Sequence, residues 1–84
     1  MNLFRDVKDF ILENKLKIIY MNNKLNIVNY KSVTGFDSNK IIIESETKLI
    51  IISGSNLVIS KLLIDELLIS GDIEKVEFRW YFEK

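Results

Sequence analysis

The feature that most limits the fold of this chain is a two-residue hydrophobic period that starts near Leu16 and continues to the C-terminus. Apolar segments with this period are separated by turn-forming residues such as Asn22-Asn23, and the pattern is typical of half-buried β-strands. Isoleucine is the commonest residue, and β-branched side chains favour strands. The sequence therefore predicts an all-β region over about residues 16–82, a small antiparallel barrel or sandwich.

Two later segments predict long strands that bend. A Ser-Gly pair interrupts each of them, at Gly54 and at Gly71, and glycine inside a strand marks a bulge or a bend. The link between them, residues 61–66, is rich in apolar side chains and is expected to fold over an open end of the sheet. Gly35, Gly54 and Gly71 are spaced by 19 and 17 residues, which leaves a short β-solenoid as an alternative fold.

Helical periodicity occurs near the N-terminus, where one short helix is predicted over about residues 3–12. Its apolar stripe is formed by Leu3, Val7, Phe10 and Ile11. A helix of about ten residues is marginal alone in water, so this stripe must pack on the sheet of its own chain or on a partner. Helix and strands together predict a single domain over residues 1–84.

The last predicted strand separates aromatic from charged residues. Its stripe of Val76, Phe78, Trp80 and Phe82 is typical of a core face. The opposite face carries Glu77, Arg79 and Tyr81. Because a strand at a chain end often lies at a sheet edge, which can pair with another chain, we predict an interface at either this strand or the helical stripe. We expect either a homo-oligomer or a protein partner.

Apolar residues on both strand faces also point to a partner. Residues 41–43 and 49–52 are apolar at every position, a pattern that suits strands covered on both sides. A chain of 84 residues covers one face with its own second layer and part of the other with the helix. The remaining apolar surface favours an interaction module.

The composition excludes several kinds of chemistry. The chain has neither Cys nor His, so disulfides, thiolate or imidazole catalysis and the usual zinc sites are excluded. The adjacent acids Asp65 and Glu66 would point to opposite faces of a strand and form no acid–base couple. We therefore expect a protein that is not an enzyme and holds no metal or cofactor. With no apolar run of about 20 residues and no signal peptide, it is expected to be cytoplasmic and without a membrane span.

Nucleic-acid binding by a small β-barrel is the alternative function. Arg79 and Tyr81 share a strand face with Lys75, and single-stranded nucleic acids bind aromatic residues interleaved with basic ones. Glu77 lies in the middle of that row, however, and would oppose a phosphate backbone. The net charge of zero also argues against nucleic acid as the main partner.

Two signatures in the second half of the chain, G-x-N-L and D-E-L followed by G-x-I, resemble those of the YabP/YqfC family of sporulation proteins. The positions that carry the resemblance are Gly54, Asn56, Leu57, Asp65, Glu66, Gly71 and Ile73. The resemblance covers about residues 16–80. It implies a non-enzymatic protein of endospore-forming Firmicutes, made in the mother cell and linked to formation of the spore coat or cortex. It also implies a sporulation membrane protein as a partner and a location peripheral to the forespore membrane.

Overall fold

The computed structural model describes residues 16–81, which form six β-strands. In chain order the strands are β1 (Lys17–Met21), β2 (Lys24–Val28), β3 (Ser32–Phe36), β4 (Lys40–Glu44), β5 (Lys48–Leu62) and β6 (Glu66–Trp80). No helix occurs within residues 16–81, so the prediction of an all-β region is confirmed. The helix predicted over about residues 3–12 lies outside the described residues.

All six strands belong to one antiparallel sheet with the order β1-β2-β6-β5-β4-β3. The sheet is open, with β1 and β3 as its outermost strands, so the prediction of a closed barrel is wrong. The solenoid alternative is also wrong, because stacked rungs would produce parallel ladders, whereas consecutive strands here form antiparallel hairpins. The glycine spacing is misleading because Gly54 and Gly71 both serve bends in the single β5–β6 hairpin.

The long strands β5 and β6 divide the sheet into two halves. The β4 half comprises β3, β4, residues 48–53 of β5 and residues 73–80 of β6. The β2 half comprises β1, β2, residues 57–62 of β5 and residues 66–70 of β6. Each long strand therefore begins in one half and ends in the other, and the β5–β6 hairpin joins the two halves.

One hydrophobic core draws side chains from both halves of the sheet. Its buried members are Leu25, Ile27, Ile41, Ile43, Ile50, Ile52, Leu57, Leu67 and Ile69. Within each strand these residues alternate with more exposed ones, so a single face of the sheet is buried. Because both halves contribute to the same core, the bend turns this face inward on itself. The arrangement resembles the predicted sandwich, but both layers belong to one continuous sheet.

The pairing between β5 and β6 is irregular where the sequence predicts bends. Register shifts fall between Ser53 and Gly54 and between Ser55 and Val58. Gly71 has a φ of 123°, and a Cβ there would lie 2.4 Å from the carbonyl oxygen of Asn56. A Cβ at Gly54 would lie 2.0 Å from the carbonyl oxygen of Asp72. Only glycine allows the two backbones to approach this closely at the bend.

Asparagine supplies the other unusual backbone conformations. Among residues 16–81, four non-glycine residues have a positive φ, and all are asparagines: Asn22, Asn23, Asn29 and Asn56. Asparagine tolerates this region better than most residues. Asn22 and Asn23 are the two central residues of the β1–β2 hairpin, which is the backbone geometry of a type I′ turn. The predicted turn at this position is confirmed.

Two predictions about burial are corrected by the structure. Val76 of the predicted stripe packs against the core, but Phe78 and Trp80 are 47% and 62% exposed, and Phe82 lies outside the described residues. The pairing of β2 with β6 stops at Ser70, and the end of β6 lines an open cleft. The link over residues 61–66 does not cover the sheet either, because β5 and β6 remain paired as far as Leu62 and Leu67. The chain reverses in a tight turn, and its apolar side chains are exposed.

Ser45 is the buried polar residue among those the structure describes, with 2% of its surface exposed. Its Oγ donates to the carbonyl oxygen of Lys48 (2.9 Å) and accepts from the amide of Lys48 (3.2 Å), closing the β4–β5 turn. We expect Ser45→Ala to lower the free energy of unfolding by about 1–2 kcal/mol, because the Lys48 amide loses its acceptor in this part-buried turn. Urea unfolding followed by circular dichroism measures this loss.

The matched control for Ser45 is Ser38→Ala, because Ser38 is a serine in an exposed turn. We expect this substitution to change the free energy of unfolding by less than about 0.5 kcal/mol, as is usual for surface positions. Equal unfolding midpoints for the two variants would contradict the stabilising role of the Ser45 hydroxyl.

Candidate functional site

The glycine-containing signatures meet at the bend of the sheet. Gly71 lies against the carbonyl of Asn56, and Gly54 lies against that of Asp72. Leu57 is buried in the core, and Ile73 packs against it. The structure therefore brings the G-x-N-L and G-x-I segments together, and their contacts are made between backbones and within the core. At this place the signature residues shape the bend.

A turn that sequence analysis did not connect with the bend also packs there. The Asn39 carbonyl accepts from the amide of Gly54, and the Asn39 side-chain amide donates to the Gly54 carbonyl, both at 3.0 Å. The amide of Leu57 donates to the Ser38 carbonyl (2.9 Å). Asp37 closes the turn itself, because its Oδ1 accepts from the amides of Asn39 and Lys40. Asp-Ser-Asn predicts the turn, but no local signal predicts its contact with Gly54.

Asp65 and Glu66 lie away from the bend, at the β5–β6 turn. The carbonyl of Asp65 accepts from the amide of Asn29 (2.7 Å). The carboxylate of Glu66 accepts from the side-chain amide of Asn26 (3.0 Å). Both residues thus help to attach the β5–β6 turn to the β2 segment, so the structure separates them from Gly54 and Gly71.

The β5–β6 turn ends in an exposed apolar group, which we name the hairpin tip and define as Leu62, Leu63 and Ile64. All three side chains are exposed, and Ile64 is 94% exposed. The backbone beneath them is held in place, because the Leu63 amide donates to the Glu66 carbonyl (2.8 Å) and the Tyr30 hydroxyl donates to the Leu63 carbonyl. Neighbouring exposed apolar side chains on a turn make the hairpin tip a candidate interaction surface.

The charge around the hairpin tip is local. Lys61 precedes the tip and Asp65 follows it, and both are exposed. Partial burial, together with the nearby carboxylate of Asp65, raises the pKa of the Tyr30 hydroxyl. Tyr30 therefore stays protonated and able to donate to the Leu63 carbonyl at neutral pH. The tip is an apolar centre with charged neighbours, which is the usual composition of a protein interface.

The long strands also leave open edges. Within residues 16–81, the part of β6 after Ser70 pairs with β5 alone, and the part of β5 after Ser53 pairs with β6 alone. Each half of the sheet therefore ends in a strand whose outer backbone groups have no strand partner in the described region. Such edges can accept a strand from another chain.

The charged residues proposed from sequence lie on the outer face of the β4 half. Arg79 and Glu77 form an exposed ion pair (3.4 Å), a kind of contact that contributes little to stability. The amide of Tyr81 donates to the Thr47 carbonyl (3.1 Å). Desolvation, together with a hydrogen bond to Glu44 and its charge, raises the pKa of Tyr81. Arg79 is thus paired with an acid, which disfavours the nucleic-acid alternative.

The predicted stripe of Leu3, Val7, Phe10 and Ile11 lies outside the described residues.

An open apolar cleft lies between the start of β1 and the ends of the β5–β6 hairpin strands. It has a volume of about 350 Å³ and is lined by Leu16, Ile18, Lys48, Phe78 and Trp80. The Lys48 ammonium lies 4.2 Å from the centroid of the Trp80 ring, within the range of a cation–π contact. The cleft is the place where the two predicted core aromatics, Phe78 and Trp80, reach the surface.

Within residues 16–81 there is no group of three or more acidic side chains that could hold a metal ion. In the same part of the chain, no helix has the length and hydropathy needed to cross a membrane.

The model of the YabP family matches residues 12–80, a range that contains all six strands, the bend and the hairpin tip. No curated protein and no solved structure matches the chain.

Proposed function

Because the chain belongs to the YabP family, we propose that it is a non-enzymatic sporulation protein that acts as a binding or assembly module in the mother cell. Family membership supports the association with sporulation. The proposal assigns it to formation of the spore envelope, coat or cortex, with a protein as its partner. The observation that carries the binding role is the hairpin tip, with three exposed apolar side chains on a turn that is hydrogen bonded from beneath.

The hairpin tip suits binding because its geometry is fixed before the partner arrives. The backbone of Leu63 is bonded on both sides, so docking orders few additional groups and loses little conformational entropy. Full burial of one exposed leucine or isoleucine side chain contributes about 1.5–3 kcal/mol. Three such side chains can therefore supply the apolar centre of a small interface, with Lys61 and Asp65 at its rim.

We further propose that the partner is a sporulation membrane protein and that the chain lies at the cytoplasmic face of the forespore membrane. This assignment rests on the resemblance to the YabP/YqfC family. The open edges of β5 and β6 provide a second means of contact, in which a strand of the partner extends the sheet. The apolar tip would then fix the position of that strand.

The tip can be tested by placing a charge on it. We expect Ile64→Glu to reduce recovery of the partner from sporulating cells by at least about tenfold, the effect of losing about 1.4 kcal/mol of binding free energy. The unfolding midpoint should not change, because Ile64 is 94% exposed. A tagged copy is expressed in an endospore-forming host, located by fluorescence, and recovered with its bound proteins for mass spectrometry.

The control is Ser38→Glu, which adds the same charge to another exposed turn. It should recover the same partner as the unchanged chain and show the same location. Equal recovery by the Ile64→Glu variant would show that the tip is not the contact surface. An unchanged chain that is diffuse throughout the mother cell and recovers no partner would contradict the proposed function itself.

A further inference from the structure

The apolar cleft is a continuation of the core. Ile50 is fully buried and pairs with Phe78 across β5 and β6, and Lys48 pairs with Trp80 one pleat further on. Residues that pair directly share a face of the sheet, so Phe78 and Trp80 lie on the same face as the core. They are nevertheless 47% and 62% exposed. At this end of the β4 half, the residues that the structure describes cover the inner face of the sheet only in part.

The β2 half presents apolar residues to the same space. Ile18 pairs with the buried Ile27, so it too lies on the inner face, and Leu16 extends this row toward the N-terminus. Both residues line the cleft opposite Phe78 and Trp80. Both walls of the cleft are therefore apolar. The cleft volume of about 350 Å³ can hold several apolar side chains.

The chain itself supplies the nearest occupant. Leu16 forms part of the wall of the cleft. The 15 residues before Leu16 are therefore joined to the sheet at the cleft. The predicted helix ends at about residue 12, and the four Cα–Cα steps from there to Leu16 span at most about 14 Å. The C-terminal end of the predicted helix is therefore close enough to the cleft for its apolar stripe, Leu3, Val7, Phe10 and Ile11, to reach Phe78 and Trp80.

We propose that residues 3–12 dock on the apolar cleft of their own chain and complete its core, with the stripe of Leu3, Val7, Phe10 and Ile11 facing Phe78 and Trp80. A segment tethered by a short linker has an effective concentration of about 1 mM or more at its site. This segment therefore occupies the cleft in preference to a second copy at ordinary protein concentrations. The inference does not depend on the proposed function.

Fluorescence of Trp80 tests this directly, because Trp80 is the only tryptophan of the chain and lines the cleft. In the full chain we expect emission typical of a shielded indole, with weak quenching by acrylamide at every protein concentration. Phe10→Asp should shift the emission to longer wavelength and increase quenching. Lys8→Asp, on the polar side of the same predicted helix, is the matched control and should leave both quantities unchanged.

Disulfide trapping provides an independent measurement, since the chain has no cysteine of its own. Phe10→Cys combined with Phe78→Cys should form an intramolecular disulfide on mild oxidation, whereas Lys8→Cys combined with Phe78→Cys should form much less. Disulfide-linked dimers whose yield rises with concentration would overturn the proposal in favour of a second copy. Equal quenching of the unchanged chain and the Phe10→Asp variant, with no intramolecular disulfide, would show that the segment does not reach the cleft.

Discussion

Replacing Gly71 by alanine is expected to destabilise the chain by about 4 kcal/mol. The φ of 123° at Gly71 is strained for any residue with a Cβ, which costs about 1–3 kcal/mol. The new Cβ would also lie 2.4 Å from the carbonyl oxygen of Asn56, and relief of such crowding costs roughly a further 1–3 kcal/mol. Because small domains are stable by only about 5–15 kcal/mol, this variant should be close to unfolding at 25 °C.

Gly35→Ala is the matched control for Gly71→Ala. A Cβ at Gly35 would meet the terminal carbon of the Ile42 side chain at 3.2 Å, and a flexible side chain can move away. We expect a change of less than about 1 kcal/mol in the free energy of unfolding for this variant. Both are measured by urea unfolding at 25 °C. Similar midpoints for the two variants would mean that the backbone at Gly71 is not constrained as described.

The second large effect is expected in the core. Ile50 is fully buried in β5 between β4 and β6, so Ile50→Ala removes apolar contacts and leaves a cavity, at a cost of about 2–5 kcal/mol. Ile64→Ala makes the same chemical change at the exposed tip and should cost less than about 0.5 kcal/mol. Thermal unfolding of both variants gives the comparison.

A core that closes around the deleted side chain would bring the Ile50→Ala loss to the low end of this range. A loss as small as that of Ile64→Ala would contradict the assignment of Ile50 to the core. The intermediate variant Ile50→Val should cost about 0.5–1.5 kcal/mol. This value distinguishes a tightly packed site from one that rearranges to fill the deleted volume.

The sequence allowed local features of the fold to be predicted. Alternation and turn residues located the β1–β2 hairpin, because Asn22 and Asn23 favour the backbone of its turn. The Ser-Gly pairs located the irregularities in β5 and β6, because a bend with crossing backbones requires glycine. Each of these features depends on residues that are adjacent in the sequence, so the sequence alone is enough to predict it.

Features that depend on distant residues could not be predicted in this way. Hydrophobicity indicates that Phe78 and Trp80 favour burial, but it does not indicate whether a second layer extends far enough to cover them. The contact between Asn39 and Gly54 depends on how the sheet bends as a whole. The exposed hairpin tip was predicted as a buried link for the same reason, since nothing local shows that β5 and β6 stay paired as far as Leu62.

The strand order has a consequence for the route by which the chain folds. From β3 to β6 every strand pairs with its neighbour in sequence, so this meander can form through local hairpins alone. The β2–β6 ladder is the exception, since it joins Lys24 to Ser70 and Val28 to Glu66 across the length of the meander. Formation of the β2–β6 ladder therefore carries most of the entropic cost of loop closure. We therefore expect docking of the β1–β2 hairpin along this ladder to be the step that closes the core, and its release to be the first opening of the native state.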